Sequence, residues 1–118
     1  MGLIYADRVK ETTTSTGTGA VSLLGNAANH QKFVTGIGSG NQCKYLLVDD
    51  VNQTWEVGLG TVTAGAPDQL ARDYVLASSN AGALVNFGSG TKTVACVLPA
   101  DDAAFDFGAA AQDVPLFR

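Results

Sequence analysis

Short runs of alternating apolar and polar residues, separated by turn residues, dominate this 118-residue chain. The clearest alternation is TWEVGLGTVT at 54–63, where Trp55 and Val57 point to one face and Glu56 and Gly58 to the other. A large indole ring is normally a core anchor, so we expect the face with Trp55 and Val57 to lie inside. The small or acidic residues of the second face leave room for the close approach of another backbone or of water.

The other apolar runs predict further strands. QCKYLLVDD at 42–50 is apolar on both faces, which indicates a central strand with Tyr45 in the core. TKTVACVLP at 91–99 predicts the last core strand, with Val94 and Cys96 as inward anchors. Shorter strands are predicted at 20–24 and 32–37, preceded by an extended edge segment at 11–19, and the run 69–79 favours a strand although its composition permits a helix.

Roughly seven or eight short strands, with turn signals about every eight to twelve residues, predict one all-β domain. The expected architecture is a small antiparallel β-sandwich or a jelly-roll-like barrel with extended terminal arms. The core with its N-terminal arm is expected to span residues 1–100. Residues 101–118 form a segment of different character, rich in small and acidic residues, that begins after Pro99.

Both ends of the chain carry apolar side chains outside the predicted strands. The C-terminal segment either packs on its own domain or docks on a neighbour, and we expect the neighbour because the β core is complete without it. Extended arms of this kind can add to a sheet edge through main-chain hydrogen bonds. The predicted interface residues are Leu3, Ile4, Tyr5, Phe105, Phe107, Val114, Leu116 and Phe117.

The charge of the chain and the distribution of its apolar residues argue against nucleic-acid binding, a membrane span and a leader. The net charge is −4 and the seven cationic residues form no cluster, so we expect no direct binding of nucleic acid. No run of about 18 apolar residues occurs, so no membrane span is expected. Asp7 and Arg8 stand where the apolar region of a leader would run, so we expect synthesis in a cytoplasm.

Residues that could support catalysis or metal binding lack the context that such chemistry needs. His30 has no evident partner as a general base, and the glycine run at 36–41 lacks the lysine of a phosphate loop. Asp49, Asp50 and Asn52 are the best candidates for a calcium ion, but the fixed ligand pattern is absent. We therefore expect no enzyme activity, no cofactor and no metal.

Two cysteines, Cys43 and Cys96, lie in separate strand-like apolar runs. Buried free thiols are the expected state, because a thiol packs as a small hydrophobic group. A disulfide between them stays open at this point, since it depends on strand pairing that spacing cannot give.

Several longer stretches carry a resemblance to a known module. They are YADRVKETTTSTGTG, LLVDD, WEVGLGTVT, QLARDYVLASSNAGALVNFGSGTKTV and LPA. Together they resemble a module of tailed bacteriophages, found as small virion proteins and as the amino-terminal part of tail-fibre-like proteins. The likeness covers residues ~5–100, nearly the whole predicted core.

The resemblance implies a non-enzymatic structural protein of the virion, assembled in the bacterial host cytoplasm. The expected role is a tail or neck appendage or a fibre-attachment module, with tail, neck or major capsid protein as partner. A homotrimer is favoured, because trimers are common among fibre-like proteins. The alternatives are a capsid decoration (cement) protein, and after it a carbohydrate- or receptor-binding module.

Overall fold

A computed structural model describes residues 2–100 and 102, and over this range the chain forms one antiparallel sheet. The sheet order is β1-β7-β3-β4-β5-β2, and β6 pairs with β4 beside this path. The described elements are β1 (Lys10–Thr13), β2 (Val21–Leu23), α1 (Phe33–Gly36), β3 (Gln42–Asp49), β4 (Thr54–Thr63), β5 (Asp68–Leu70), β6 (Tyr74–Ser78) and β7 (Lys92–Cys96).

The two ends of the sheet meet, so that it almost closes into a barrel. The N–H of Leu24, just after β2, donates to the carbonyl of Thr12 in β1 at 2.9 Å. The N–H of Thr12 donates in turn to the carbonyl of Gly25 at 3.3 Å. The prediction of a small antiparallel all-β domain is confirmed, in the form of a single nearly closed sheet.

The interior of the barrel is centred on β3, which lies between β7 and β4. Tyr45 and Val94 are both fully buried, as the sequence predicts. Cys96 is half-buried and packs against the edge of the core. The buried apolar side chains are Val9, Val21, Leu23, Phe33, Ile37, Cys43, Tyr45, Leu47, Val62, Leu70, Val85, Phe87 and Val94.

The strand predicted at 32–37 is wrong, because this segment forms the single-turn helix α1. Phe33 and Ile37 are both buried, a spacing that fits one face of a helix as well as alternate positions of a strand. The N–H of Ile37 donates to the carbonyl of Phe33 at 2.8 Å, which closes the turn. The carboxylate of the buried Glu11 accepts the N–H of Phe33 at 2.8 Å and so fixes the start of the helix.

The prediction of strand over helix at 69–79 is confirmed, although the run is divided into β5 and β6. Pairing with β4 continues through the break, because the N–H of Ala71 donates to Thr61 and that of Asp73 to Leu59, both at 2.9 Å. Arg72 lies between these two residues, with its side chain directed into the barrel.

The predicted orientation of β4 is wrong. Glu56 and Gly58 face the interior, whereas Trp55 lies on the outward face and is 40% exposed. Val57, on the same outward face, is half-buried. Neither Trp55 nor Val57 is therefore an anchor of the barrel interior.

The neighbouring strand β3 gives a steric reason for the observed orientation of β4. Tyr45 lies directly opposite Gly58 in the β3–β4 register, and its ring fills the space that a side chain at Gly58 would need. A Cβ atom at Gly58 would lie 2.6 Å from the Tyr45 Oη and 2.5 Å from the carbonyl oxygen of Tyr74. The sequence predicts that the face of β4 with Glu56 and Gly58 admits the close approach of another backbone. The position of the Tyr74 carbonyl confirms this, but that face lies in the interior of the barrel.

Candidate functional site

The outward face of the sheet carries an apolar groove with a volume of about 380 Å³. Side chains from β3, β4 and β6 form its floor, and the chain that follows β7 forms its rim. Trp55 is 40% exposed and Leu98 is 51% exposed in this groove. The residues that define it here are Leu46, Trp55, Val57, Leu76, Leu98 and Pro99.

This groove differs from the scattered apolar residues that any protein surface carries. Val51, for example, is 84% exposed but lies in the turn between β3 and β4, and isolated residues of that kind are common. In the groove, apolar side chains of three strands and of the chain after β7 converge on one concave surface, which is the usual form of a binding site. Trp55 adds to this interpretation, because tryptophan is enriched among residues that carry most of the free energy of an interface.

A buried ion pair on the other side of β4 holds Trp55 outward. The carboxylate of Glu56 accepts hydrogen bonds from Arg72 Nη2 at 2.6 Å and Nε at 2.8 Å. It also accepts the Tyr45 hydroxyl at 2.5 Å and the N–H of Val85 at 2.9 Å. Because successive side chains of a strand alternate, fixing Glu56 inside places Trp55 outside.

The remaining donors of Arg72 are used as well. Its Nη1 donates to the carbonyls of Gly17 at 3.0 Å and Gly19 at 3.2 Å, and Nη2 donates to Val85 at 2.6 Å. The guanidinium also lies 5.2 Å from the ring centroid of Phe87. Arg72 thus ties two loops to the barrel, and among the described residues no buried side-chain N or O atom lacks a partner.

The protonation states of this network follow from its contacts. Burial alone would raise the pKa of Glu56, but hydrogen bonds from Arg72 and Tyr45 outweigh it and lower that pKa. Burial, together with the hydrogen bond to Glu56, raises the pKa of Tyr45. Burial works against the charge of Arg72, yet its bonds to Glu56 raise its pKa. At neutral pH the set is a carboxylate, a guanidinium and a neutral phenol, which suits a structural tie.

A second ion pair lies on the outward face, close to the groove. Lys44 Nζ is 2.6 Å from Asp102 Oδ2, and the hydroxyl of Tyr5 donates to the same oxygen. These bonds, that of Lys44 first, lower the pKa of Asp102. Lys44 and Leu46 share the outward face of β3, so the contact holds Asp102 against that face.

The structure places the three predicted N-terminal interface residues in different environments. Two backbone hydrogen bonds join this segment to the start of β3, from Ile4 N–H to the Gln42 carbonyl at 2.9 Å and from Gln42 N–H to the Gly2 carbonyl at 2.7 Å. Ile4 packs against the core of its own domain, whereas Leu3 is 48% exposed. Tyr5 is exposed on its ring and bonded through its hydroxyl.

The C-terminal interface residues of the sequence analysis lie outside the described residues. They are Phe105, Phe107, Val114, Leu116 and Phe117.

The two cysteines are free thiols in contact across β3 and β7. Tyr45 pairs directly with Cys96, which places Cys43 one diagonal step away on the same inward face. A hydrogen bond from the Cys43 thiol lowers the pKa of Cys96 to about 7. That contact and burial raise the pKa of Cys43.

Of the polar residues considered for catalysis or metal binding, Asp49, Asn52 and His30 make hydrogen bonds within the domain. The Asp49 carboxylate accepts the backbone N–H of Asn52 at 3.1 Å and its Nδ2 at 2.7 Å, which closes the β3–β4 turn and lowers the pKa of Asp49. Asp50 is exposed beside it, and His30 Nδ1 lies 2.8 Å from the carbonyl of Ala28. Within residues 2–100 and 102, no group of three or more His, Cys, Asp or Glu side chains is arranged to hold a metal ion.

Sequence reasoning missed the Glu56–Arg72 pair and therefore the groove. One signal for it was present: Glu56 stands on the glycine face of β4, where a charged side chain needs a buried partner. Arg72 lies 16 residues further along the chain, so the local sequence pattern does not identify it as that partner.

Comparison with known proteins finds no matching family model, no matching curated protein and no matching solved structure. No helix in the described part of the chain has the length and apolar character to cross a bilayer.

Proposed function

We propose that this protein is a non-enzymatic structural component of a tailed-bacteriophage particle. It docks on another virion protein through the outward groove, as a tail or neck appendage or a fibre-attachment module, and works as a homotrimer. The apolar groove around Trp55 and Leu98 is the observation on which this proposal depends. Its assignment to a phage particle rests on the resemblance of residues ~5–100 to the phage module.

The polar groups of the described residues support a role in binding over a role in catalysis. The carboxylate of Glu56 is fully buried and bonded to Arg72, Tyr45 and Val85, so no substrate reaches it. The groove around Trp55 and Leu98, in contrast, is accessible and lined by apolar side chains. A surface of this kind contributes affinity by removing apolar area from water, which is what an assembly protein requires.

Incorporation into particles tests the proposal. Leu98→Glu places a charge in the groove at an exposed position, so the fold should survive while docking loses at least about tenfold, because an unpaired charge in an apolar interface is costly. Val51→Glu makes the same change at an exposed apolar position outside the groove and is the matched control. The measurement is the amount of each variant that co-purifies with particles on a density gradient.

Equal incorporation of the two variants would contradict docking through the groove, and absence of the wild-type protein from particles would contradict the virion role. Copy number in the same samples distinguishes the placements. A few to tens of copies support the tail or neck, whereas hundreds would support capsid decoration, the alternative function.

A further inference from the structure

Cys96 lies at one end of the barrel, where β7 ends. Its side chain and residues 5–8 of the N-terminal segment line an open pocket with a volume of about 260 Å³. Cys96 is half-buried, whereas Cys43 is fully buried. Since a water molecule takes about 30 Å³, this pocket admits a small hydroperoxide. A reagent dissolved in water therefore reaches the sulfur of Cys96 before that of Cys43.

The surroundings of the Cys96 sulfur suit a thiolate. The Cys43 thiol donates a hydrogen bond to this sulfur, and the backbone N–H of Ala6 donates another. The bond from Cys43 lowers the pKa of Cys96 most, and the two bonds together outweigh burial and the charge of Asp7, which raise it. Because the thiolate is the nucleophilic form of cysteine, Cys96 combines access from solvent with stabilisation of its reactive form.

Cys43 is placed to react with an oxidised Cys96. The β3–β7 register pairs Tyr45 with Cys96, so Cys43 is the diagonal neighbour of Cys96, and the two thiols are in contact. That contact, and burial after it, raise the pKa of Cys43, so this thiol keeps its proton. An S–S bond needs adjacent backbones and side chains directed towards each other, and the two neighbouring strands supply both.

From these observations we propose that Cys96 is a site of oxidation by hydroperoxides, and that Cys43 converts the oxidised sulfur to an intramolecular disulfide. Hydrogen peroxide is the simplest such oxidant. The Cys96 thiolate attacks one of its oxygens, so that an S–O bond forms, the O–O bond breaks and hydroxide leaves. The Cys96 sulfur loses two electrons in this step and becomes a sulfenic acid.

The second step closes the disulfide. The Cys43 sulfur attacks the Cys96 sulfur, so that the S–S bond forms and the S–O bond breaks. The departing hydroxide leaves as water with the proton of Cys43. In total, two thiols and one hydrogen peroxide give one disulfide and two waters. The proposal does not depend on the virion role, because it concerns the thiols of the isolated chain.

The chain contains only these two cysteines, so mass spectrometry can follow each of them. The experiment treats the reduced full-length protein with hydrogen peroxide and analyses the intact protein and its peptides. We expect the wild type to lose two hydrogen atoms and both free thiols, and to stay a monomer on a non-reducing gel. Cys43→Ser should stop at the sulfenic acid of Cys96, which dimedone traps. Cys96→Ser, the matched variant, should be oxidised at least about tenfold more slowly.

The wild-type result decides the disulfide even if a variant does not fold, and far-UV circular dichroism checks the fold of both variants. A peptide pair joined through Cys43 and Cys96 in the monomer supports the proposal. Unchanged protein, oxygen added without an S–S bond, or a disulfide between two copies would each overturn it. Oxidation of a folded Cys96→Ser as fast as that of Cys43→Ser would also overturn it, because Cys96 is then not the thiol that reacts first.

Discussion

Replacing Arg72 with methionine tests the buried network that orients β4. The change removes the donors that lie 2.6 and 2.8 Å from the Glu56 carboxylate and leaves that carboxylate fully buried. Loss of one partner of a buried pair costs about 3–5 kcal/mol, because the remaining charge is uncompensated. Since domains of this size are stable by about 5–15 kcal/mol, the variant should lose a large share of its free energy of unfolding.

The chain supplies a matched control in Lys44→Met. The Lys44–Asp102 and Arg72–Glu56 pairs share the same 2.6 Å separation, but they differ in burial. The side chains of Lys44 and Asp102 are 12% and 24% exposed, against 1% and 0% for Arg72 and Glu56. Partial solvation reduces the expected loss to about 1 kcal/mol or less.

Urea unfolding, followed by Trp55 fluorescence and circular dichroism, measures both losses. With a slope of about 1–3 kcal/mol per molar urea, Arg72→Met should lower the midpoint by roughly 2 M and Lys44→Met by well under 1 M. Equal shifts of the two midpoints would refute the reasoning, since burial would then not determine the cost.

Between pH 7 and 5, the contribution of Glu56 to stability should be constant in the wild type and should depend on pH in the Arg72→Met variant. In the wild type the pKa of Glu56 is lowered, so its contribution is complete above the unfolded value of about 4.3 and is lost as pH falls through the folded value. Without Arg72, the hydrogen bonds from Tyr45 and Val85 still lower that pKa, but burial is the largest influence and should now raise it. The variant should therefore become more stable as pH falls from 7 towards 5. A glutamine cannot titrate, so Glu56→Gln should abolish the contribution of this side chain to the pH dependence of stability. An Arg72→Met variant whose stability does not rise relative to the wild type between pH 7 and 5 would contradict the assignment.

Two further outcomes follow from local geometry. Gly58→Ala should lower the free energy of unfolding by about 1–3 kcal/mol, because the new Cβ would lie 2.5 Å from the Tyr74 carbonyl oxygen. Gly19→Ala is the control: its Cβ meets nothing within 4 Å, so the free energy of unfolding should change by no more than about 0.5 kcal/mol in the same urea assay. Iodoacetamide should alkylate Cys96 before the buried Cys43, with a rate that rises through pH about 7, and mass spectrometry of the peptides would refute this if Cys43 reacted first.

Much of the fold could be predicted from local pattern. The β3–β4 hairpin is visible as two long apolar runs around an Asp- and Asn-containing turn, and β7 as an alternating run before Pro99. The helix α1 could not be predicted, because one turn gives no periodicity that separates 3.6 from 2.0. Its start depends on Glu11, which is distant in sequence.

The wrong orientation of β4 and the missed groove have one physical origin. Hydrophobicity favours burying Trp55 over Glu56, and in the sequence pattern it outweighs the one opposing signal, the glycines that share a face with Glu56. The structure adds the ring of Tyr45, which occupies the inward space at Gly58, and the guanidinium of Arg72, which compensates the carboxylate.

Those two contacts reverse the preference and leave the indole on the outer face, where it forms the groove. The network and the groove are thus opposite faces of the same strand. A substitution at Arg72 that loosens Glu56 should therefore also change the fluorescence of Trp55 in the folded protein, before any urea is added.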